Sequence, residues 1–73
     1  MPLTLAIPDV EYLVLRIAVD DNARRHLAAM GLIAGVTVVL LSRFMGNFIL
    51  RIGDTKIGLS QETARRIIIQ EKK

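Results

Sequence analysis

The spacing of apolar and polar residues changes period several times along this chain, and each change marks an element. From Glu11 to Ile17 the pattern predicts a strand. Tyr12 and Val14 fall on one side of it and Leu13 and Leu15 on the other, so both faces are expected to be at least partly covered. The period then lengthens. Ala23, Leu27 and Met30 recur at i, i+4 and i+7, which places them on one face of a short helix, with Arg24 and Arg25 largely on the other. Asp20, Asp21 and Asn22 precede that helix. Any of the three can cap its orphan N–H groups, and the two aspartates also favour its positive end. Gly31 stands where a glycine releases a helix in a left-handed conformation.

Past Gly35 the apolar run Val36 to Ser42 predicts a second strand. Arg43-Phe44-Met45-Gly46-Asn47 reads as the loop after it, with Gly46-Asn47 as its turn pair. Phe48 to Ile52 is a third strand, joined through a tight Gly53-Asp54-Thr55 hairpin to a fourth over Lys56 to Leu59. Ser60 is placed to cap a short helix from Gln61 to about Arg66, and Ile67-Ile68-Ile69 makes a last strand before the tail Glu71-Lys72-Lys73. At the other end, Thr4 to Ile7 is an apolar lead-in closed by a Pro8-Asp9 turn. About five short strands and a short helix or two predict a mostly β fold, a strongly bent sheet curled into a partly open barrel. Leu27, Met30 and Leu32 are expected to plug one side of it.

Composition narrows the possibilities. Seventy-three residues make a single domain, 1–73, and with 52% hydrophobic but only 4% aromatic residues its core must be built from Leu, Ile and Val. The absence of cysteine excludes both a disulfide framework and a thiolate metal site. The net charge of +3 is spread along the chain, with Arg24-Arg25, Arg65-Arg66 and Lys72-Lys73 as the only local pairs. Nucleic-acid binding usually calls for a concentrated basic face with aromatics for stacking, and the aromatics here are Tyr12, Phe44 and Phe48 alone. Leu27 to Leu41 carries no charge, but its fifteen residues fall short of the ~18–20 that cross a bilayer. Met1-Pro2-Leu3-Thr4 lacks the basic start of a signal peptide, so a cytoplasmic location is expected.

With these elements in order, the chain resembles the FeoA family (ferrous iron transport protein A), whose members are small SH3-like β-barrels. The resemblance runs from about Leu3 to Ile69. It rests on Leu3-Thr4-Leu5, the Pro8-Asp9 turn, Leu15-Arg16-Ile17, the acidic Asp20-Asp21-Asn22 loop and the Arg24-Arg25-His26-Leu27 helix. It continues through Met30-Gly31-Leu32-Ile33-Ala34-Gly35, the strand from Val36 to Leu41, Ile57-Gly58-Leu59, Ala64 and Ile67-Ile68-Ile69. Departures fall in loops: Asp9 stands where the family has glycine, Ala34 where it has proline, and Met45-Gly46-Asn47-Phe48 is about a residue shorter than its counterpart. The resemblance implies an SH3-like barrel and a non-enzymatic accessory role in ferrous iron uptake. Its implied partner is FeoB, the membrane iron transporter with a cytosolic G-domain. Two alternatives stand beside it: a stand-alone SH3-like domain related to the C-terminal domain of iron- or manganese-dependent repressors, and a small nucleic-acid-binding barrel. No winged-helix segment is found in the 73 residues, which ranks the repressor reading second.

Candidate chemistry is sparse. His26 is the single histidine, with Asp20, Asp21 and Asn22 as the nearest polar residues, and it lies beside two arginines that discourage a cation. No metal ligand set and no cofactor site are expected. Ser42 and Ser60 have no evident base, and the acids sit where capping accounts for them, so no catalytic residue is assigned. Arg43, Phe44 and Met45 are the candidate partner-binding residues. They bring two large apolar side chains and an arginine to a loop between strands, a composition enriched at interfaces. Phe48, next along, is expected to face the core.

Overall fold

The computed structural model describes residues 1–72; of the predicted charged tail Glu71-Lys72-Lys73, Glu71 belongs to the last strand, where it pairs with Tyr12, and Lys73 lies outside the described residues. Five strands, β1 (Glu11–Ile17), β2 (Thr37–Phe44), β3 (Asn47–Ile52), β4 (Thr55–Ser60) and β5 (Ile67–Glu71), form one antiparallel sheet in the order β4-β3-β2-β1-β5. Helix α1 (Asp21–Ala29) connects β1 to β2, and the one-turn helix α2 (Gln61–Arg65) connects β4 to β5. The two end strands of the order, β4 and β5, do not pair with each other, and α2 packs against β3, β4 and β5 where the barrel stays open. The predicted partly open, five-stranded barrel is the observed architecture.

The α1 ends follow from the sequence. Asp20, of the three candidate caps, is the one used: its carboxylate accepts the Ala23 N–H at 2.8 Å. At the other end Gly31 takes φ +92°, and the N–H groups of Gly31 and Leu32 donate to the carbonyls of Ala28 and Leu27. That pair of bonds is the Schellman arrangement, which also draws Leu32 back over Leu27. Both leucines are buried in the one hydrophobic cluster, and Met30 packs against it, as the helical spacing predicts.

The core lies between the inward faces of the bent sheet. It is built from Leu, Ile and Val with Tyr12 and Phe48 among them. Two irregularities bend the sheet. The β1–β5 register slips between Val14 and Arg16, and the β2–β3 register slips between Leu40 and Ser42. Strict alternation from Tyr12 and Val14 would send Arg16 inward. The extra residue at Leu15 reverses this, so that Ile17 is buried and Arg16 exposed.

The lead-in is more structured than a plain apolar run. Leu3–Leu5 is a 3-10 turn, and its period of about three residues buries Leu3 and Ala6 while Leu5 and Ile7 face out. The chain end is tied to β5: the Met1 ammonium donates to the Ile69 carbonyl at 2.8 Å, and the Ile69 N–H donates back to Met1 at 2.7 Å. The buried Tyr12 hydroxyl accepts the Ile7 N–H at 2.9 Å, which satisfies an otherwise costly polar group. At Pro8-Asp9, Asp9 takes φ +69°. An aspartate thus adopts the left-handed conformation for which the family's turn uses glycine.

Candidate functional site

The segment expected as a five-residue loop, Arg43 to Asn47, is a tight hairpin. Arg43 and Phe44 belong to β2 and Asn47 to β3, Phe44 pairs with Asn47, and only Met45 and Gly46 form the turn. The turn pair is therefore Met45-Gly46 and not Gly46-Asn47. Both residues have positive φ, +51° and +79°, the pattern of a type I′ turn, whose twist matches that of the flanking strands. Glycine at the second position signals such a turn. Methionine at the first hides it, because a left-handed non-glycine residue is uncommon.

The three candidate residues are held differently. Arg43 pairs with Phe48 across the strands and lies on the inner face, its guanidinium 5.9 Å from the Phe48 ring centre. It donates to the Thr4 carbonyl at 2.8 Å and to the Ala6 carbonyl at 3.1 Å. Arg43 thereby ties the hairpin to the 3-10 turn. Phe48 itself is buried, as expected. Phe44 and Met45 are 74% and 84% exposed, the two most exposed large apolar side chains among the described residues. The Gly46 carbonyl accepts the Gln61 N–H at 2.7 Å, which braces the turn against the start of α2. The result is an apolar tip on a rigid mount.

The exposure of Leu5 and Ile7 was not read from the sequence. Both are more than three-fifths exposed, and each directly follows a residue whose carbonyl Arg43 holds. A signal existed in the spacing of Leu3 and Ala6, three residues apart, which is the repeat of a 3-10 turn rather than of a strand.

Around α2 the polar side chains are occupied by structure. Ser60 accepts the Thr63 N–H at 3.2 Å as the cap of α2, and Glu62 faces Arg65 and Arg66 at 3.4 and 3.7 Å on that helix's surface. A cleft of about 430 Å³ between the start of α1 and α2 is lined by Asp20, Glu62 and Arg66. Its acids are those already used in the cap and the ion pairs. His26 is exposed on α1, and among the described residues no three of His, Cys, Asp or Glu come together in a way that holds an ion. No helix among the described residues is long and apolar enough to cross a membrane.

A small bent five-stranded barrel with two short helices, apolar side chains exposed on its β2–β3 hairpin, has the build of an SH3-like domain. The FeoA domain matches residues 1–71, and the chain belongs to the FeoA family, with the fold of the accessory proteins of ferrous iron transport. Among solved structures it is similar to the iron uptake regulatory protein FeoA, at 29% identity, with 99% of this chain and 96% of that one covered and a TM-score of 0.87. Iron(II) transport protein A from Clostridium thermocellum matches at 22% identity over 97% of this chain and 45% of its own, with a TM-score of 0.90. A manganese-dependent transcriptional repressor matches at 21% identity over 99% of this chain and 41% of its own, with a TM-score of 0.88. These last two likenesses are of fold, and the chain spans less than half of each protein. No curated protein matches the sequence.

Proposed function

We propose that this chain is a non-enzymatic, cytoplasmic accessory protein of ferrous iron uptake that docks on the cytoplasmic part of the membrane transporter FeoB. Arg43, Phe44 and Met45 are the contact residues. The observation that carries this reading is the exposure of Phe44 and Met45 on a type I′ turn braced from two sides. Two exposed apolar residues on a mobile loop lose much of their contact energy to ordering. On a preorganised hairpin that cost is already met in folding. Arg43 contributes chiefly by fixing the hairpin against the 3-10 turn, with guanidinium donors to spare for a partner's carboxylate or carbonyl.

The likeness to repressors supports a second reading, in which the same surface serves a metal-dependent regulator. The two are separated by offering the purified chain three partners in parallel titrations. These are the soluble cytoplasmic region of FeoB, the DNA-binding portion of a manganese-dependent repressor and a random-sequence oligonucleotide. The first reading expects saturable binding to the FeoB region alone. Binding to the repressor portion supports the second. Oligonucleotide binding that falls steeply with salt would instead make the chain a nucleic-acid binder.

A further inference from the structure

The two edges of this sheet are treated differently. The outer edge of β5 is covered by the chain's own start, through the exchange of hydrogen bonds between Met1 and Ile69 and the bridge between Pro2 and Ile68. The outer edge of β4 has no such cover. The Gly53-Asp54 turn makes Ile52 and Thr55 the closing hydrogen-bonded pair of the β3–β4 hairpin. Alternation along an antiparallel ladder then points the backbone groups of Thr55, Ile57 and Leu59 at β3 and those of Lys56 and Gly58 away from it. Lys56 and Gly58 are exposed, and neither makes a backbone hydrogen bond elsewhere.

The side chains beside that edge are selective. Arg51 and Lys56 are directly paired across β3 and β4, and among the described residues neither has a carboxylate within 4.0 Å. Two like charges face to face on neighbouring strands are mutually unfavourable until an anion joins them. Two residues along, Gly58 has no side chain, and Ile49 lies over it: a Cβ built on Gly58 would sit 3.5 Å from the Ile49 side chain. The same sheet face therefore offers a cationic step followed by an open apolar step, separated by the two-residue repeat of a strand.

We propose that the β4 edge is a strand-addition site for an extended acidic segment of a partner protein. The segment carries Asp or Glu beside Lys56 and an apolar residue beside Gly58, two positions apart. Its backbone would complete the hydrogen bonds left open at Lys56 and Gly58. Its carboxylate would relieve the Arg51–Lys56 pair. Main-chain pairing supplies affinity here and the alternating pockets supply selectivity. This edge lies on the opposite side of β3 from the strand that carries Phe44, so the proposal does not rest on the hairpin reading.

The test is a titration of the isotope-labelled chain, followed by amide chemical shifts and hydrogen exchange. The probe is a capped Thr-Glu-Thr-Val-Thr peptide, compared with its Thr-Lys-Thr-Val-Thr counterpart. The proposal expects the acidic peptide to shift the Lys56 and Gly58 amides and slow their exchange, and the basic one to bind about tenfold more weakly or worse. Gly58→Pro removes an N–H that faces away from β3, a position an edge strand tolerates, and should abolish the effect. Should that variant unfold, Lys56→Glu serves instead, and it should reverse the preference between the two peptides. Equal response to both peptides would overturn the proposal. So would shifts confined to Phe44 and Met45, or β4 amides that respond only to the chain's own concentration, which marks pairing with a second copy.

Discussion

Replacing Leu27 by alanine tests whether α1 is part of the core or merely laid on the barrel. Leu27 is 4% exposed and belongs to the single buried cluster with Leu3, Tyr12, Leu32 and Ile67. Truncating a leucine so placed costs ~2–5 kcal/mol, the transfer term plus that of the cavity left behind. A domain of 73 residues has only about 4–11 kcal/mol to lose, so the change removes a large part of its stability. Taking a loss of ~3 kcal/mol and ~4–8 °C for each kcal/mol in a domain of this size, the melting temperature falls by about 12–24 °C. The helix stop survives the change, because it uses the backbone carbonyl of Leu27 and not its side chain. The control is Ala28→Ser, one residue on and exposed. Thermal unfolding by circular dichroism, with urea titration to give the free energy, measures both. If the two variants melt within ~3 °C of each other, a difference worth well under 1 kcal/mol, the assigned helix face is wrong.

Three further outcomes are expected. Gly31→Ala should cost about 1 kcal/mol in urea unfolding: φ is +92° there and nothing lies within 4 Å of an added Cβ, so the loss is of backbone conformation alone. Arg43→Met should remove the two bonds to Thr4 and Ala6 at a net loss of about 1–2 kcal/mol, less than two charged hydrogen bonds would give if buried. Faster amide exchange at Leu5 and Ala6 should accompany it, and unchanged exchange would mean the 3-10 turn is held by Leu3 burial alone. The fold should melt at the same temperature with and without a chelator, since Leu, Ile and Val packing makes its core; a fall of several degrees would show a bound ion.

The elements that follow from periodic spacing were legible before the structure. The α1 face, the Gly31 stop, the Ser60 cap and the five strands are each specified by a few neighbouring residues. What was not legible came from contacts distant in sequence. Arg43 reads as a free loop cation until its guanidinium meets the carbonyls of Thr4 and Ala6, far away in the chain. The length of the loop between β2 and β3 was overestimated because Met45 occupies a left-handed position that glycine or asparagine normally announces. The bulges at Leu15 and Leu41 are likewise invisible in a run of apolar residues, where either face of the strand looks the same. At the candidate site, the exposure of Phe44 and Met45 was legible from their place between two strands, whereas that of Leu5 and Ile7 was hidden in what read as a plain apolar lead-in.

The proposal that this hairpin docks on the FeoB cytoplasmic region is tested most directly by the double variant Phe44→Ala, Met45→Ala. Both side chains point into solvent, so thermal unfolding should be nearly unchanged from the parent chain. Titrated against the FeoB region under the same conditions, the double variant should bind about tenfold more weakly or worse if either side chain is a hot spot. An affinity equal to the parent's, measured on a variant shown to be folded, would contradict the account and remove the hairpin from the interface.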